Sequence, residues 1–235
     1  MQIKEFLKIP FRWLFRTNTS YSQTGEDLIT NFFLSHIKNG YYVDIGANDP
    51  IHFSNTYFFY KKGWHGLCVE PNSFRCKFIQ TVRRRDTVLN AGVSGRGGVL
   101  DFFIFDLDNI STFSQTEAEE FKKLGHKLLE VRKINTFILA DILKKYVPDG
   151  KIDLLSVDTE GLDLEILKSN DWTKFRPKVV IVETAEYRKN SATRIHILFN
   201  EYLSSCGYIK LADTYLNGIY MDGVYAKERN IESII

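Results

Sequence analysis

Tyr41-Tyr42-Val43-Asp44-Ile45-Gly46-Ala47-Asn48, followed 22 residues after Asn48 by Glu70, is the stretch whose reading decides the fold. The apolar run that ends at Ile45 reads as a buried strand. Gly46 lets backbone approach closely, and Ala47 keeps the turn slim. A helix and a second strand, Gly66 to Glu70, follow, and that strand closes on a carboxylate. Read alone, the first segment is also simply a strand followed by a tight turn, so the rest of the chain has to decide.

Working outward, Thr24 and Asp27 resemble a capping box, with Asp in place of Glu, ahead of Leu28, Ile29, Phe32, Phe33 and Ile37 at helical spacing. Ser54 is placed to cap a helix running to Lys62, stopped by Gly63. Thr87 to Val93 reads as a third strand, and Val99 to Phe105 as an inserted hairpin arm followed by a polar helix near Thr116 to Leu129. Ile138 to Tyr146 reads as a helix, Ile152 to Val157 as a fourth strand, and Gly161 to Lys168 as a helix start. A fifth strand, Val179 to Glu183, precedes a helix from Ala192 to Cys206 capped by Ser191. Two last strands are expected near Tyr208 to Leu211 and Gly223 to Ala226. Strands alternating with helices predict an α/β fold, a doubly wound and mostly parallel sheet with an antiparallel C-terminal strand and an inserted β-hairpin.

The 235 residues suit one α/β domain, and 44% hydrophobic with 26% charged residues is ordinary for a soluble globular chain. Abundant aromatics, 18 Phe and 12 Tyr, supply a sizeable core. A net charge of +2 without a basic, aromatic-interleaved stripe gives no sign of a nucleic-acid partner. Arg83-Arg84-Arg85 reads as a solvated helix end. Cys68, Cys76 and Cys206 show no metal spacing, and an odd count without a signal peptide favours reduced thiols in the cytoplasm. The division expected is a basic amphipathic extension over residues 1–18 and one domain over 19–235. In the extension Lys4, Lys8, Arg12 and Arg16 recur every four residues among bulky apolar side chains. Residues 1–16 can therefore contact an anionic membrane face peripherally, or dock on the domain or a second subunit; oligomeric state stays open.

In doubly wound sheets, ligands bind beyond the carboxyl ends of the strands. Asp44, Glu70, Asn90 to Ser94, Asp158 and Glu183 all fall at such ends. The turn lacks the extra glycines that admit a pyrophosphate, and Pro50 removes an amide donor, which favours a nucleoside cofactor without phosphate. S-adenosyl-L-methionine meets that description. Asp44 can face its cationic amino-acid end, Asn48 its carboxylate, and Glu70 both ribose hydroxyls. Gly92 and Ser94 are expected beside the adenine. Asp158 and Glu160 enter the same crevice from the fourth strand, and Glu183 lies one strand away. Asp158, Glu160 or His52, which follows the glycine turn, could take a proton from an acceptor. Alternatively Asp158 and Glu183 offer hard oxygen ligands for Mg2+ or Mn2+, although salt bridging by Lys or Arg explains the cluster as well. Trp64 and Tyr187 are candidates for stacking on a sugar or for core packing.

Together the segments Tyr21-Ser22-Gln23-Thr24-Gly25-Glu26-Asp27, Val43 to Asn48, Glu70-Pro71-Asn72, Asp158-Thr159-Glu160-Gly161 and Ile181-Val182-Glu183 resemble the FkbM family of S-adenosylmethionine-dependent methyltransferases, over roughly residues 21 to 226. The resemblance implies a Rossmann-like class I methyltransferase fold and O-methylation, often of sugars in polysaccharides, glycolipids or natural products. It places Gln23, Asp44, Gly46, Asn48, Glu70 and Pro71 at the cofactor. It places Ser22, Glu26 and Asp27 near the cofactor or acceptor pocket, and Asp158, Glu160 and Glu183 toward the acceptor. The expectation is a cytoplasmic enzyme that methylates a sugar hydroxyl of a surface polysaccharide or glycan precursor, with residues 1–16 able to meet the inner face of the membrane. A lipid or small natural product as acceptor, and a non-catalytic Rossmann-like binding protein, are the alternatives.

Overall fold

The structure is a computed structural model that describes residues 19–184 and 192–231, without the side chains of 108 and 192–195. The expected extension over 1–18, the cap Ser191 and Tyr187 lie outside the described residues.

A seven-stranded sheet forms the centre. In chain order its strands are β1 (Tyr41–Ile45), β2 (His65–Glu70), β3 (Thr87–Asn90), β7 (Leu154–Val157), β8 (Val179–Glu183), β9 (Tyr208–Asp213) and β10 (Asn217–Asp222). In space they run β3-β2-β1-β7-β8-β10-β9, and only β10 is antiparallel to its neighbours. Counted by their own chain order, the strands read 3-2-1-4-5-7-6 across the sheet. The topology switches between β1 and β7, where crossovers depart in opposite directions and leave a crevice beyond the carboxyl ends.

Strand alternation builds a core on each face. Val43, Ile45, Leu67, Val69, Leu155, Val157, Val180 and Val182 face α5 (Leu139–Tyr146), α6 (Asp163–Lys168) and α7 (Ala192–Ser205), which contribute Leu143, Leu167 and Leu203. Tyr42, Cys68, Leu154, Val179, Ile181, Ile219 and Met221 face α1 (Glu26–Leu34), α2 (Tyr57–Lys61), α3 (Ser73–Val82) and α8 (Gly223–Glu228). Trp64 is fully buried in that second core, its ring 4.7 Å from Phe59, so of its two expected roles it takes core packing. Cys68, Cys76 and Cys206 are free thiols.

Five sequence expectations need correction. The helix expected directly after Ser54 starts only at Tyr57, with Thr56 at its N-cap, and Ser54 Oγ accepts the Tyr57 amide at 3.1 Å. Thr87 to Val93 is not one strand: β3 ends at Asn90, and β4 (Gly92–Val93) joins a second, three-stranded sheet of order β4-β6-β5. The polar helix α4 (Gln115–Lys123) stops early, and the residues that were to finish it begin β6 (Leu128–Phe137), the antiparallel partner of β5 (Gly98–Phe105). In β6 the exposed and half-buried positions alternate in part with period two, and pairing along all of β5 outweighs the helical propensity of Leu128 to Glu130. The last strand is Asn217–Asp222; Gly223 instead opens α8, whose Asp222 side chain caps the Val224 amide at 3.0 Å. Finally, α1 starts at Gly25 without a side-chain cap, and Thr24 instead donates its amide to Glu26 at 2.9 Å.

Candidate functional site

At the end of β1 the chain turns through Gly46, whose φ is +84°. Its amide and that of Ala47 donate to the Val69 carbonyl at 3.0 and 3.3 Å, so the turn is pinned to β2. A Cβ at Gly46 would lie 1.8 Å from the Asp158 carbonyl oxygen, which makes glycine obligatory where β1 and β7 deliver their ends side by side. Asn48, at φ +38°, aims its amide at Glu70 Oε2, 2.9 Å away. The Asn72 amide donates to Glu70 Oε1 at 2.7 Å. Each carboxylate oxygen thus holds one backbone amide and keeps a lone pair for another donor. Asn90 Nδ2 donates to the Glu70 and Pro71 carbonyls, both at 2.9 Å, and fixes the turn after β2. Burial pushes the Glu70 carboxyl up to about 7, against the pull of those two amides.

A crevice opens here beyond the ends of β1, β2 and β7. Its wall includes Gln23, Asp44, Gly46, Ala47, Asn48, His52, Phe53, Glu70, Pro71, Ala91, Val93, Phe102, Phe113, Asp158 and Glu160. Its lining carries five carboxylates, Asp44, Asp49, Glu70, Asp158 and Glu160, and no lysine or arginine among the described residues. The second sheet closes one side. Phe102 of β5 and Phe113 lie 4.7 Å apart between ring centres, and the Thr112 hydroxyl donates to the Glu160 carbonyl at 2.7 Å.

Asp158, Glu160 and Glu183 converge, with carboxylate oxygens within 4.8 Å of one another. Glu160 sits at φ +54°, in a turn organised by Asp163, which accepts the Thr159 and Gly161 amides at 2.9 and 3.1 Å. Burial, then the charges of Asp163, Asp44 and Glu26, push the Asp158 carboxyl up to about 7. Burial and the Asp158 charge hold Glu160 and Glu183 well above the usual carboxylate range. Oxygens this close fit either a shared proton or a hard cation.

The Methyltransferase FkbM domain family matches residues 44–210. The chain belongs to the FkbM methyltransferase family. Methyltransferase sdnD of Sordaria araneosa is 36% identical over 121 residues, which cover 42% of this chain and 46% of that protein. The match therefore takes in about half of the relative's length. Among solved structures, a TehB-like SAM-dependent methyltransferase from Corynebacterium glutamicum is 6% identical with a TM-score of 0.42, covering 93% of this chain and 97% of that one. An O-methyltransferase from Bacillus cereus in complex with SAH is 9% identical with a TM-score of 0.38, covering 93% and 88%.

In this FkbM chain Asp44, Gly46, Asn48, Glu70, Pro71, Gln23, His52, Asp158 and Glu160 meet around one crevice. Gly92 and Ser94 do not line it. Gly92 packs on Phe113 and Thr136, and Ser94 Oγ donates to Thr136 Oγ1 of the second sheet at 3.0 Å, while Ala91 and Val93 face the cavity. Glu183 touches the carboxylate cluster rather than the crevice wall. Of the Tyr21 to Asp27 segment only Gln23 reaches the crevice. Asp27 is fully buried and accepts Ser20 and Ser22 hydroxyls and the Tyr21 amide at 2.6, 3.0 and 2.7 Å. Glu26, also fully buried, accepts from Thr214 and Asn217 at 2.7 and 2.9 Å, and hydrogen bonds to Thr214, Thr24 and Asn217 outweigh burial and bring it down to about 2. The motif is a clamp that presents Gln23.

Asp44 is the largest surprise. Its carboxylate accepts the Thr56 hydroxyl at 2.5 Å and pairs with Arg83 Nη1 at 3.5 Å. Arg83 is fully buried, not a solvated helix end. Nothing local in the arginine run signals this. Among the described residues the sequence reading also missed Phe53, Phe102, Phe113 and Asn55, because their place in the crevice depends on how the insertion and the post-turn loop fold back. No helix among the described residues is long and apolar enough to cross a membrane.

Proposed function

We propose that this chain is an S-adenosylmethionine-dependent O-methyltransferase that acts on a sugar hydroxyl of a surface polysaccharide or glycan precursor in the cytoplasm. The observation that carries the cofactor part is the lining: five carboxyl groups, no lysine or arginine among the described residues, and a glycine turn with no room for a side chain. That lining offers a polyphosphate cofactor no cationic partner, whereas its carboxyl oxygens can accept hydrogen bonds from the cationic amine and the ribose hydroxyls of a sulfonium cofactor. Glu70, with both oxygens oriented by amides, would hold the ribose hydroxyls; Ala91 and Val93 would form a flat apolar wall for the adenine. The cofactor, when bound, supplies an already activated methyl group.

The protein's part is to align and to manage a proton. Alignment alone supplies roughly 7–11 kcal/mol in favourable systems. An alcohol attacks poorly while protonated, and Asp158, pushed up to about 7, is tuned to accept that proton near neutral pH. His52 borders the same crevice and is the alternative acceptor. A divalent ion held by Asp158, Glu160 and Glu183 would lower the hydroxyl pKa when bound, a route favoured by the close approach of their oxygens.

The test incubates the protein with labelled S-adenosylmethionine and glycan precursors, with and without EDTA, and reads label transfer by mass spectrometry. Asp158→Asn is expected to keep S-adenosylhomocysteine binding and lose at least 100-fold in turnover, as removal of a general base does. Unchanged turnover would remove Asp158 from the mechanism. A loss of transfer with EDTA would assign the carboxylate cluster to an ion.

A further inference from the structure

We infer that Arg83, which never reaches the crevice, is a positioning residue for cofactor binding. This rests on the cofactor reading above. The guanidinium lies behind the loop that follows the glycine turn. Its Nε donates to the Pro50 carbonyl at 2.8 Å, Nη1 to the Thr56 hydroxyl at 2.9 Å, and Nη2 to the Ser54 hydroxyl at 2.6 Å. The Thr56 hydroxyl in turn donates to Asp44, and Nη1 also faces Asp44 and Asp86 at 3.5 and 3.8 Å. The tyrosine rings of Tyr42 and Tyr57 flank the guanidinium at 5.9 and 5.6 Å.

The consequence falls on the other side of the loop. Asp49, His52, Phe53, Ser54 and Asn55 line the crevice, while Arg83 grips the same segment from behind at 50, 54 and 56. Between two of those anchors Phe53 is held at φ +56°, a conformation a bulky residue rarely adopts, and the residue is 64% exposed. Such strain persists only where the surroundings over-determine the backbone. Arg83 provides that constraint with a planar fork of donors that a lysine cannot reproduce. It also answers the Asp44 charge from inside the protein. Asp44 therefore acts on the cofactor by shaping the loop, rather than as an unpaired acceptor for the amine.

The experiment measures S-adenosylhomocysteine affinity by calorimetry for the whole chain, at a temperature where every variant is folded. Arg83→Lys keeps the charge but loses the fork, and it is expected to weaken binding at least tenfold. Tyr42→Phe removes the 2.6 Å bond to Asp86 in the same buried network without touching the loop, and its affinity should stay within twofold. Should Arg83→Lys not fold, Thr56→Val, which cuts the same relay at the loop, is expected to weaken binding at least fivefold. Affinity within twofold of the parent in Arg83→Lys, or in Thr56→Val where that replaces it, overturns the assignment. So does a loss no larger than that of Tyr42→Phe at equal melting temperature. A parent protein that binds no S-adenosylhomocysteine overturns the cofactor reading itself, which separates the two failures.

Discussion

Glu70 shows what a single buried carboxyl does to the whole chain. Its ordinary value of 4.5 rises to about 7 in the fold, so between those values the folded state holds a proton that the unfolded state has released. The associated stabilisation is present below pH 4.5 and is lost as pH rises through 7. Shifts of this size correspond to roughly 3 kcal/mol at about 1.4 kcal/mol per unit. Asp158 acts in the same direction over its own interval, from 3.8 to about 7. The ligand-free protein is therefore expected to melt at lower temperature at pH 8 than at pH 5, and Glu70→Gln should flatten part of that slope. A melting profile in which Glu70→Gln keeps the full slope would show that the carboxyl is not protonated in the fold. Glu70 was legible in the sequence because a carboxylate directly after an apolar strand has few uses. Arg83 was not: its partners Asp44, Ser54 and Thr56 sit in another part of the chain, and only crossing α3 back over the sheet brings them together.

Among the elements, the β1 turn governs the rest. Gly46→Ala would force a methyl to within 1.8 Å of a backbone oxygen at φ +84°. The left-handed backbone alone costs about 1–2 kcal/mol, and the contact adds to that, so unfolding in urea should show a loss of more than about 2 kcal/mol together with lost S-adenosylhomocysteine binding. Loss below about 1 kcal/mol would mean β1 and β7 can part without harm. The parallel strands β1, β2, β7 and β8 were legible because strands buried on both faces are near-continuous apolar runs. The hairpin strand β6 was not, because its Leu-Leu-Glu-Val-Arg-Lys start has helix-forming residues and becomes a strand through its partner β5. The last strand was expected near Gly223 to Ala226, yet antiparallel pairing with β8 places it at Asn217–Asp222.

At the scale of the whole molecule, a ligand that binds only the folded state stabilises it by mass action. S-adenosylhomocysteine at about 100 times its dissociation constant should add roughly 2.7 kcal/mol. For a chain of this length that corresponds to a rise in Tm of about 5–10 °C. A nicotinamide dinucleotide at equal concentration should give no rise; stabilisation by it in place of S-adenosylhomocysteine would overturn the cofactor class. Alternation of strand and helix, the acidic glycine turn and the carboxylates closing β2, β7 and β8 were all determined by the sequence, because periodicity and strand-end chemistry are local properties. The tertiary structure alone decided which groups are free to meet a ligand. It turned Asp44 inward to an arginine, folded Glu26 and Asp27 into a clamp, drew Gly92 into a second sheet and bonded Ser94 to that sheet. The reason is that a charge's role depends on what solvates it, and in a buried crevice the solvent is supplied by residues distant in the chain.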